Sequence, residues 1–309
     1  MSEQISNLVH YNCPNCNAEV ELPRSLFSTK CAFCDSPVVL SEKQHEHQID
    51  LLLPFLITKK QAALKLQQYL QSKYFIPKLL KEKTRPDELD GVFIPFWVYQ
   101  AKAFSEYSAQ VGIHWYETVV VSTTDSQGRR KTETRREQRT EWFTHTGTHV
   151  KQYDDHLVCA SKAITEEESN SIEPFDCGLA LQFTAELVAG WLAENPVLDK
   201  ETAFSTALDE IHQQEYRAIS TFLTGDTKSN LTHETRIEVQ QDQIQAALLP
   251  IWIAVYHHKG EPVRLLVNGQ TGKVNGLVPR DWLKIAILTL IIITLLMGFG
   301  LILYFLGER

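Results

Sequence analysis

The feature that most constrains this chain is a run of twenty-two residues without a charge, Ile285 to Leu306. An α-helix rises about 1.5 Å per residue, so this run would form a helix roughly 33 Å long. That length covers a hydrocarbon core of about 30 Å. Trp282 and Tyr304 lie near its two ends, where interfacial aromatic residues occur. The sequence therefore predicts a single transmembrane helix with a short tail in residues 281–309, and disfavours the alternative of a buried core helix.

The charges around this run predict its orientation. Lys273, Arg280 and Lys284 precede it, whereas only Arg309, beside Glu308, follows it. Positive charge marks the cytoplasmic side of a span, so the N-terminal part of the chain should be cytoplasmic. We expect a single-pass, tail-anchored protein of the inner (cytoplasmic) membrane, inserted after its synthesis ends.

Four of the six cysteines form two Cys-x-x-Cys pairs near the start of the chain. Two such pairs can direct four thiolates at one ion, as structural zinc prefers. The expected ligands are Cys13, Cys16, Cys31 and Cys34, within a rubredoxin-like zinc ribbon over residues 1–40. Four protein ligands leave no open coordination position, so the single Zn²⁺ would be structural. Four unrelated reduced cysteines or a redox pair are the weaker alternatives.

The compartment predicted from the cysteines agrees with the orientation predicted from the charges. Few cysteines, mostly in metal-type spacing, indicate a reducing compartment. Residues 1–30 hold no apolar core of the length that a signal peptide needs.

Between the ribbon and the transmembrane helix the composition predicts an α+β fold. Residues 41–50 form a polar linker, and residues 51–280 an α+β cytoplasmic domain with a mainly antiparallel sheet and packed helices. Strands are expected over Leu51–Ile57, Gly91–Ser108, much of His114–Ser161 around a turn at Asp125–Gly128, and much of Leu231–Val278 around a turn at Asn268–Gly272. Helices are expected from the N-cap Thr58 to Tyr74, at Pro86, over Phe183–Glu194, and from the N-cap Asp199 to Phe222. The expected core includes Phe96, Trp97, Trp191, Leu192, Ile251 and Trp252.

Two apolar segments of this domain echo each other. Gly91 to Tyr99 and Ala246 to Tyr256 both place proline, an apolar residue and tryptophan before a strand-like run. A duplication and a coincidence between two strands that begin with proline both account for the echo.

Charge is distributed unevenly along the chain. Residues 165–215 hold twelve acids and one base, whereas residues 129–139 carry a net charge of +4 in a predicted hairpin. The arginine-rich hairpin could contact lipid phosphates, nucleic acid or an acidic protein surface. Residues 1–44 hold five acids and three bases, and this balance opposes nucleic-acid binding through the ribbon.

For the remaining candidate residues a structural role is the simpler interpretation. His145 and His149 would lie on one face of a strand, but two histidines without a third ligand make a poor metal site. Cys159 and Cys177 are expected to be buried reduced thiols. No phosphate loop, nucleophile elbow, metalloprotease, kinase or dinucleotide motif occurs, so the chain is not expected to be an enzyme, and no catalytic residue or small-molecule substrate is inferred.

The segments taken together resemble a family of bacterial membrane proteins with a TFIIB-type zinc ribbon, some of which carry primosomal protein N′ or helicase-like names. The resemblance rests on the four cysteines, Ile94–Trp97, Leu187–Glu194, Leu249–Trp252, Asn268–Gly272 and the final apolar run. It implies the architecture above and a membrane-associated adaptor role. The helicase name does not carry over, because no nucleotide-binding loop is present. Members can have two ribbons, and this chain has one.

These observations favour a membrane-anchored adaptor or scaffold that presents protein-binding surfaces at the cytoplasmic face to a partner of unknown identity. The alternative is a membrane-tethered nucleic-acid-binding module, which the charge of the ribbon makes less favourable. An enzyme of unrecognised class comes third.

Overall fold

The computed structural model describes residues 8–23, 25–39, 48–77, 89–124, 128, 130–240, 243–258, 261–276 and 278–307. The chain forms two compact units. Unit 1 comprises Met1–Trp97, Cys159–Asp199 and Gln245–Arg309, and unit 2 comprises Val98–Val158 and Lys200–Ile244. Most of the predicted linker, the predicted helix at Pro86 and most of the predicted turn at Asp125–Gly128 lie outside the described residues. The domain limits expected from the sequence stay predictions.

Two hairpins form the N-terminal part of unit 1. Strands β1 (Leu8–Asn12) and β2 (Glu19–Pro23) pair antiparallel, as do β3 (Leu26–Lys30) and β4 (Pro37–Val39). Alternate residues of β2 and β4 are buried, which is the pattern of a strand with one face on a core. The buried residues Val20, Leu22 and Val38 pack around Cys13 and Cys31.

The larger sheet of unit 1 is mixed. Its strand order is β13 (Val274–Asn275), β12 (Glu261–Asn268), β11 (Gln245–His258), β6 (Leu89–Thr124), β9 (Leu192–Glu194), β3 and β4. Strand β5 (Leu51–Leu52) pairs parallel with β11 and antiparallel with β8 (Leu181–Gln182). Strand β9 pairs parallel with β6 and antiparallel with β3. The sheet is therefore less purely antiparallel than expected.

Helix α1 (Lys59–Ser72) forms as the sequence predicts and ends two residues early. Thr58 caps it with a capping box, in which the Gln61 N–H donates to the Thr58 hydroxyl and the Thr58 N–H donates to the Gln61 side-chain oxygen. Ala62, Ala63, Leu66 and Leu70 form its buried face. This face packs on Trp252, Leu265 and Val267 of the sheet, so burial of apolar area fixes the helix in place.

The helix expected over Phe183–Glu194 is wrong. The chain there makes β8, a 3₁₀ turn over Ala185–Val188, and β9. Gly190 has a φ of +85°, which ends any helical path, and the backbone of Leu192 and Ala193 pairs with β6 instead. Leu192 is consequently 37% exposed and not part of the core.

The other core predictions mostly hold. Phe96, Trp97, Ile251 and Trp252 are buried, and Trp191 is half-buried against Phe55 and Trp252. The strand expected over Leu51–Ile57 stops at Leu52, since Pro54 has no N–H to offer a sheet. Short helix α2 (Glu166–Ile172) was not expected.

Unit 2 is a helix on one face of a three-stranded sheet. Strand β10 (Thr227–Val239) pairs antiparallel with β6, and β7 (Arg130–Cys159) also pairs with β6. Helix α3 (Lys200–Phe222) buries one residue per turn, namely Ala203, Ala207, Ile211, Glu215 and Ile219. Ile211 packs on Ala101, Ala103 and Tyr153 of the sheet. The helix expected from Lys200 to Phe222 is confirmed.

The two echoing segments lie on neighbouring strands, β6 and β11, and make matched hydrogen bonds. The indole N–H of Trp97 donates to the Leu198 carbonyl at 3.0 Å, and that of Trp252 donates to the Ile57 carbonyl at 3.3 Å. Each acceptor lies two residues before a helix begins, at α3 and α1 respectively.

The backbone around both prolines is matched as well. In each case the proline carbonyl accepts from the residue that follows the partner strand: Pro95 from Ala160, and Pro250 from Gly269. The Ala160 carbonyl in turn accepts from the N–H groups of Val197 and Leu198. The Gly269 carbonyl accepts from those of Leu56 and Ile57. These three matched pairs of bonds, together with the tryptophan pair, are what a duplication would leave, and the duplication itself stays a prediction.

Candidate metal centre

The four predicted cysteines lie on two turns of the same construction. The first turn joins β1 to β2 and carries Cys13 and Cys16; the second joins β3 to β4 and carries Cys31 and Cys34. In each turn the backbone carbonyl of the first cysteine accepts from the N–H of the residue four positions later. The N–H of the same cysteine donates to the carbonyl of the residue five positions later. The bonds are Asn17 N to Cys13 O and Cys13 N to Ala18 O, then Asp35 N to Cys31 O and Cys31 N to Ser36 O.

A left-handed residue closes each turn. Asn17 has a φ of 56° and Asp35 a φ of 55°. Asn and Asp tolerate this conformation better than other residues with a side chain. A tight reversal follows each second cysteine, and both sulfur atoms of each pair lie within 4.8 Å of each other.

The geometry of the sulfur atoms fits one shared ion. The four Sγ atoms lie within 4.8 Å of one another, with Cys13 to Cys34 at 3.7 Å and Cys16 to Cys31 at 3.8 Å. A tetrahedral metal with thiolate bonds of about 2.3 Å separates its sulfur ligands by about 3.8 Å. These two contacts join one turn to the other, whereas a Cys-x-x-Cys disulfide would join the cysteines of one turn, so the arrangement suits a shared ion.

Neighbouring polar groups favour thiolates at this site. The Ser36 hydroxyl contacts Cys34 Sγ at 2.9 Å and Cys13 Sγ at 3.3 Å, and the Asn15 amide donates to Cys34 Sγ at 3.6 Å. The hydrogen bond with Ser36, together with backbone N–H groups, lowers the pKa of Cys13 to about 6 and lowers that of Cys34.

Crowding opposes ionisation of all four thiols together. A backbone hydrogen bond from Ala18 favours the Cys16 thiolate, but the sulfur atoms of Cys34, Cys13 and Cys31 and burial outweigh it. The pKa of Cys16 therefore rises to about 12. A bound cation would remove this conflict by neutralising the clustered negative charge. The four cysteines could hold a metal ion, and all four positions of a tetrahedral ion would be filled.

The predicted histidine pair does not form a metal site. His145 is exposed, whereas the Nδ1 atom of His149 contacts Glu215 Oε2 at 2.7 Å. Among the residues that the structure describes, the four cysteines form the group of metal-ligating side chains that lies close enough for one ion.

Neither remaining cysteine takes part in a described site. Cys159 is buried, and burial raises its pKa to about 12, so it is an inert core thiol as expected. Cys177 is half-buried rather than buried.

Sequence reasoning missed a buried polar cluster in unit 2, centred on Glu215 of α3. Glu215 is 0% exposed, and its carboxylate accepts from Ser105 Oγ at 2.7 Å and from Tyr153 OH at 2.8 Å, besides contacting His149. Desolvation opposes its ionisation, but the hydrogen bonds from His149, Ser105 and Tyr153 outweigh it and lower the pKa of Glu215. The four-residue spacing of Glu215 from Ile211 and Ile219 could have shown its burial.

The C-terminal helix, α4 (Trp282–Gly307), is long and apolar enough to cross a membrane. No residue of Trp282–Gly300 is buried within the protein. The hydroxyls of Thr289 and Thr294 donate to the carbonyls of Ile285 and Leu290, so they need no water. Tyr304, predicted at the far interface, lies outside the residues whose side chains are described.

The fold and site define an α+β protein with a four-cysteine cluster able to hold a metal and one C-terminal helix able to span a membrane. No family model matches the chain, and no solved structure matches it. It is similar to the uncharacterized protein YdjG of Bacillus subtilis strain 168, with 24% identity over 260 residues, which cover 81% of this chain and 72% of that protein.

Proposed function

We propose that this protein is a membrane-anchored zinc-ribbon adaptor, which holds a protein partner at the cytoplasmic face of the inner membrane. The observation that carries the proposal is the pairing of a four-cysteine cluster able to hold a metal with an apolar helix that is exposed along Trp282–Gly300. The first feature is structural and the second sets location, so neither supplies chemistry.

Zinc is the ion that suits the cysteine cluster. Four thiolates in tetrahedral arrangement select zinc or iron over harder ions, and zinc needs no redox partner. Because all four positions are protein ligands, the ion would hold the two turns together and would not activate water.

Exposure of α4 supports the anchor. Burial of an apolar side chain is worth roughly 1.5–3 kcal/mol, so a helix with large exposed side chains such as Leu283, Leu290 and Phe299 costs too much in water. Lipid removes that cost. Lys273, Arg280 and Lys284 at the N-terminal end of the helix support the cytoplasmic orientation.

An adaptor should capture its partner through the folded ribbon. The test is in-cell crosslinking of the intact membrane form, followed by purification in detergent and identification of captured proteins. We expect one protein to be enriched with the natural chain and with Cys177→Ser, and to be lost with Cys31→Ser. Capture of the same proteins by all three, or of none with the natural chain, would contradict the adaptor role.

One observation favours nucleic-acid binding as the second candidate. The β6–β7 hairpin exposes Trp115, Tyr116 and Trp142, and the Arg136 guanidinium stacks 4.6 Å from the Tyr116 ring centre. Exposed aromatic rings with arginines can stack on unpaired bases. The test is binding of single-stranded DNA and RNA at several salt concentrations. Steeply salt-dependent binding that Arg135→Gln with Arg136→Gln removes would favour it, and no binding at low salt would exclude it.

A further inference from the structure

At the N-terminal end of the apolar helix α4, unit 1 contains a cavity of about 610 Å³. Its walls come from the end of α1 and the loop after it, from the segment after β13, and from the first turn of α4. The volume falls within the range of about 300–1,000 Å³ that is common for small-molecule sites. The residues that matter for its chemistry are Tyr69, Lys73, Tyr74 and Arg280.

Two of these wall residues are cations with no acidic partner among the residues that the structure describes. The Lys73 ammonium lies 4.5 Å from the Tyr69 ring centre, and the Arg280 side chain is exposed. Lys284, one turn into α4, is already engaged, since its Nζ donates to the Ile76 carbonyl at 3.0 Å and pairs with Asp281 at 3.3 Å. Among the residues described at this end of the helix, the three cations and Asp281 leave a net charge of +2.

Hydrogen bonds connect the segments that line the cavity. The Asp281 N–H donates to the Phe75 carbonyl, and Phe75 has a φ of 58°, a left-handed conformation that is costly for an aromatic residue. The Tyr69 hydroxyl donates to the Gly276 carbonyl at 3.3 Å. These bonds join the loop after α1 and the end of α1 to the segment that leads into α4, so the backbone that carries the two cations is held together around the cavity.

The side chains around the cavity have the composition of a membrane–water interface. Tyr74 is 85% exposed and Trp282 is 73% exposed, although both are large aromatic residues. Tyrosine and tryptophan concentrate at the headgroup level of membranes, and lysine and arginine there attract anionic lipids. Because the cavity adjoins the first turn of the apolar helix, a bilayer around that helix would put lipid headgroups at the cavity mouth.

We propose that this cavity binds the phosphate of an anionic lipid headgroup between Lys73 and Arg280, with Tyr74 and Trp282 in the interfacial layer. The proposal rests on the anchor role of α4 proposed above. The shared chemistry is a phosphate anion, and a free phosphate in solution is the other source that could occupy the same cations. Lipid is the favoured source because the aromatic residues would otherwise be exposed to water.

The test is isothermal titration of the detergent-purified full-length protein with water-soluble short-chain lipids. The probes are dihexanoyl phosphatidylglycerol, the matching phosphatidylcholine, and inorganic phosphate. The test variant is Lys73→Gln with Arg280→Gln. The control variant is Lys60→Gln with Lys162→Gln, which removes two exposed charges of the same unit outside the cavity.

We expect phosphatidylglycerol to bind more tightly than phosphatidylcholine, and the test variant to weaken phosphatidylglycerol binding about thirtyfold. The control variant should bind like the natural chain. Equal affinity for both lipids, or an unchanged affinity in the test variant, would overturn the site. Binding of inorganic phosphate as tight as that of phosphatidylglycerol would overturn the lipid as its source.

Two checks separate this proposal from the anchor and from misfolding. The test variant should still remain with membranes after carbonate washing, because α4 is intact. Release of the natural chain by carbonate would refute the anchor, and it would leave the lipid-binding result of the titration unchanged. The test variant should also keep the same metal content as the natural chain, since the cysteine turns do not contact the cavity. A test variant that loses both its metal and its lipid binding is misfolded. In that case the single variants Lys73→Gln and Arg280→Gln test the site, and phosphatidylglycerol binding unchanged in both would overturn it.

Discussion

At the scale of single residues, the candidate metal site depends on more than its ligands. The sequence showed the four cysteines, because their spacing is a local signal. It did not single out Ser36, whose hydroxyl contacts two of the sulfur atoms, or Asn17 and Asp35, whose left-handed backbone closes the turns. These contacts depend on how two distant turns meet, and only the folded chain brings the turns together.

The cysteine site gives the first prediction. Cys31→Ser should reduce bound metal from about one equivalent per chain to nearly none, because three thiolates hold a structural ion much less tightly than four. Elemental analysis of protein purified without chelator measures this. Cys177→Ser should retain the metal, and equal metal in both variants would show that Cys31 is not a ligand.

Glu215 gives the second residue-scale prediction. Glu215→Gln should destabilise the protein by about 1–3 kcal/mol at neutral pH, since the buried carboxylate accepts from Ser105 and Tyr153 and faces His149. Glu201→Gln, an exposed change on the same helix, should have little effect. Chemical unfolding in detergent measures both, and equal stability of the natural chain and Glu215→Gln would contradict the role of the cluster.

The same carboxylate predicts a pH dependence. The folded protein lowers the pKa of Glu215 below its ordinary value of 4.5, so its stabilising effect is present above that pH and is lost as pH falls through the lower folded value. The stability difference between the natural chain and Glu215→Gln should therefore shrink in acid. Unfolding measured from pH 7 downward tests this, and a difference that grows in acid would contradict the sign.

At the scale of elements, local signals predicted α1 and α3 but missed α2, and the pairing between distant segments was not predictable. Thr58 and Asp199, the N-caps predicted from the sequence, directly precede α1 and α3. The sequence also favours a helix over Phe183–Glu194, yet residues 192–194 form β9, because β3 and β6 offer backbone partners on both sides. Tertiary pairing overrode local preference there.

The buried face of α1 gives an element-scale prediction. Leu66→Ala should cost about 2–5 kcal/mol, because Leu66 is fully buried against the sheet and its loss leaves a cavity. Leu64 lies on the same helix and is 54% exposed, so Leu64→Ala should change stability by less than about 0.5 kcal/mol. Urea unfolding compares the two, and similar losses would mean that the helix faces the sheet differently.

At the scale of the whole molecule, the described chain has a cysteine cluster able to hold a metal near one end and an apolar helix able to span a membrane at the other. The echo around Pro95 and Pro250 is visible in the sequence, whereas the matched backbone and tryptophan hydrogen bonds that a duplication would leave appear only in the structure. A sequence pattern this short cannot separate ancestry from the general use of proline at strand starts.

The central claim is that α4 anchors a protein whose ribbon folds independently of the membrane. The most direct measurement is fractionation of the full-length chain and of a chain ending at Arg280, each with its metal content. We predict that the full-length chain stays in membranes after carbonate washing and needs detergent for release, while the shortened chain is soluble without detergent and keeps its metal. A full-length chain released by carbonate, or a shortened chain that precipitates because α4 belonged to its core, would contradict the account.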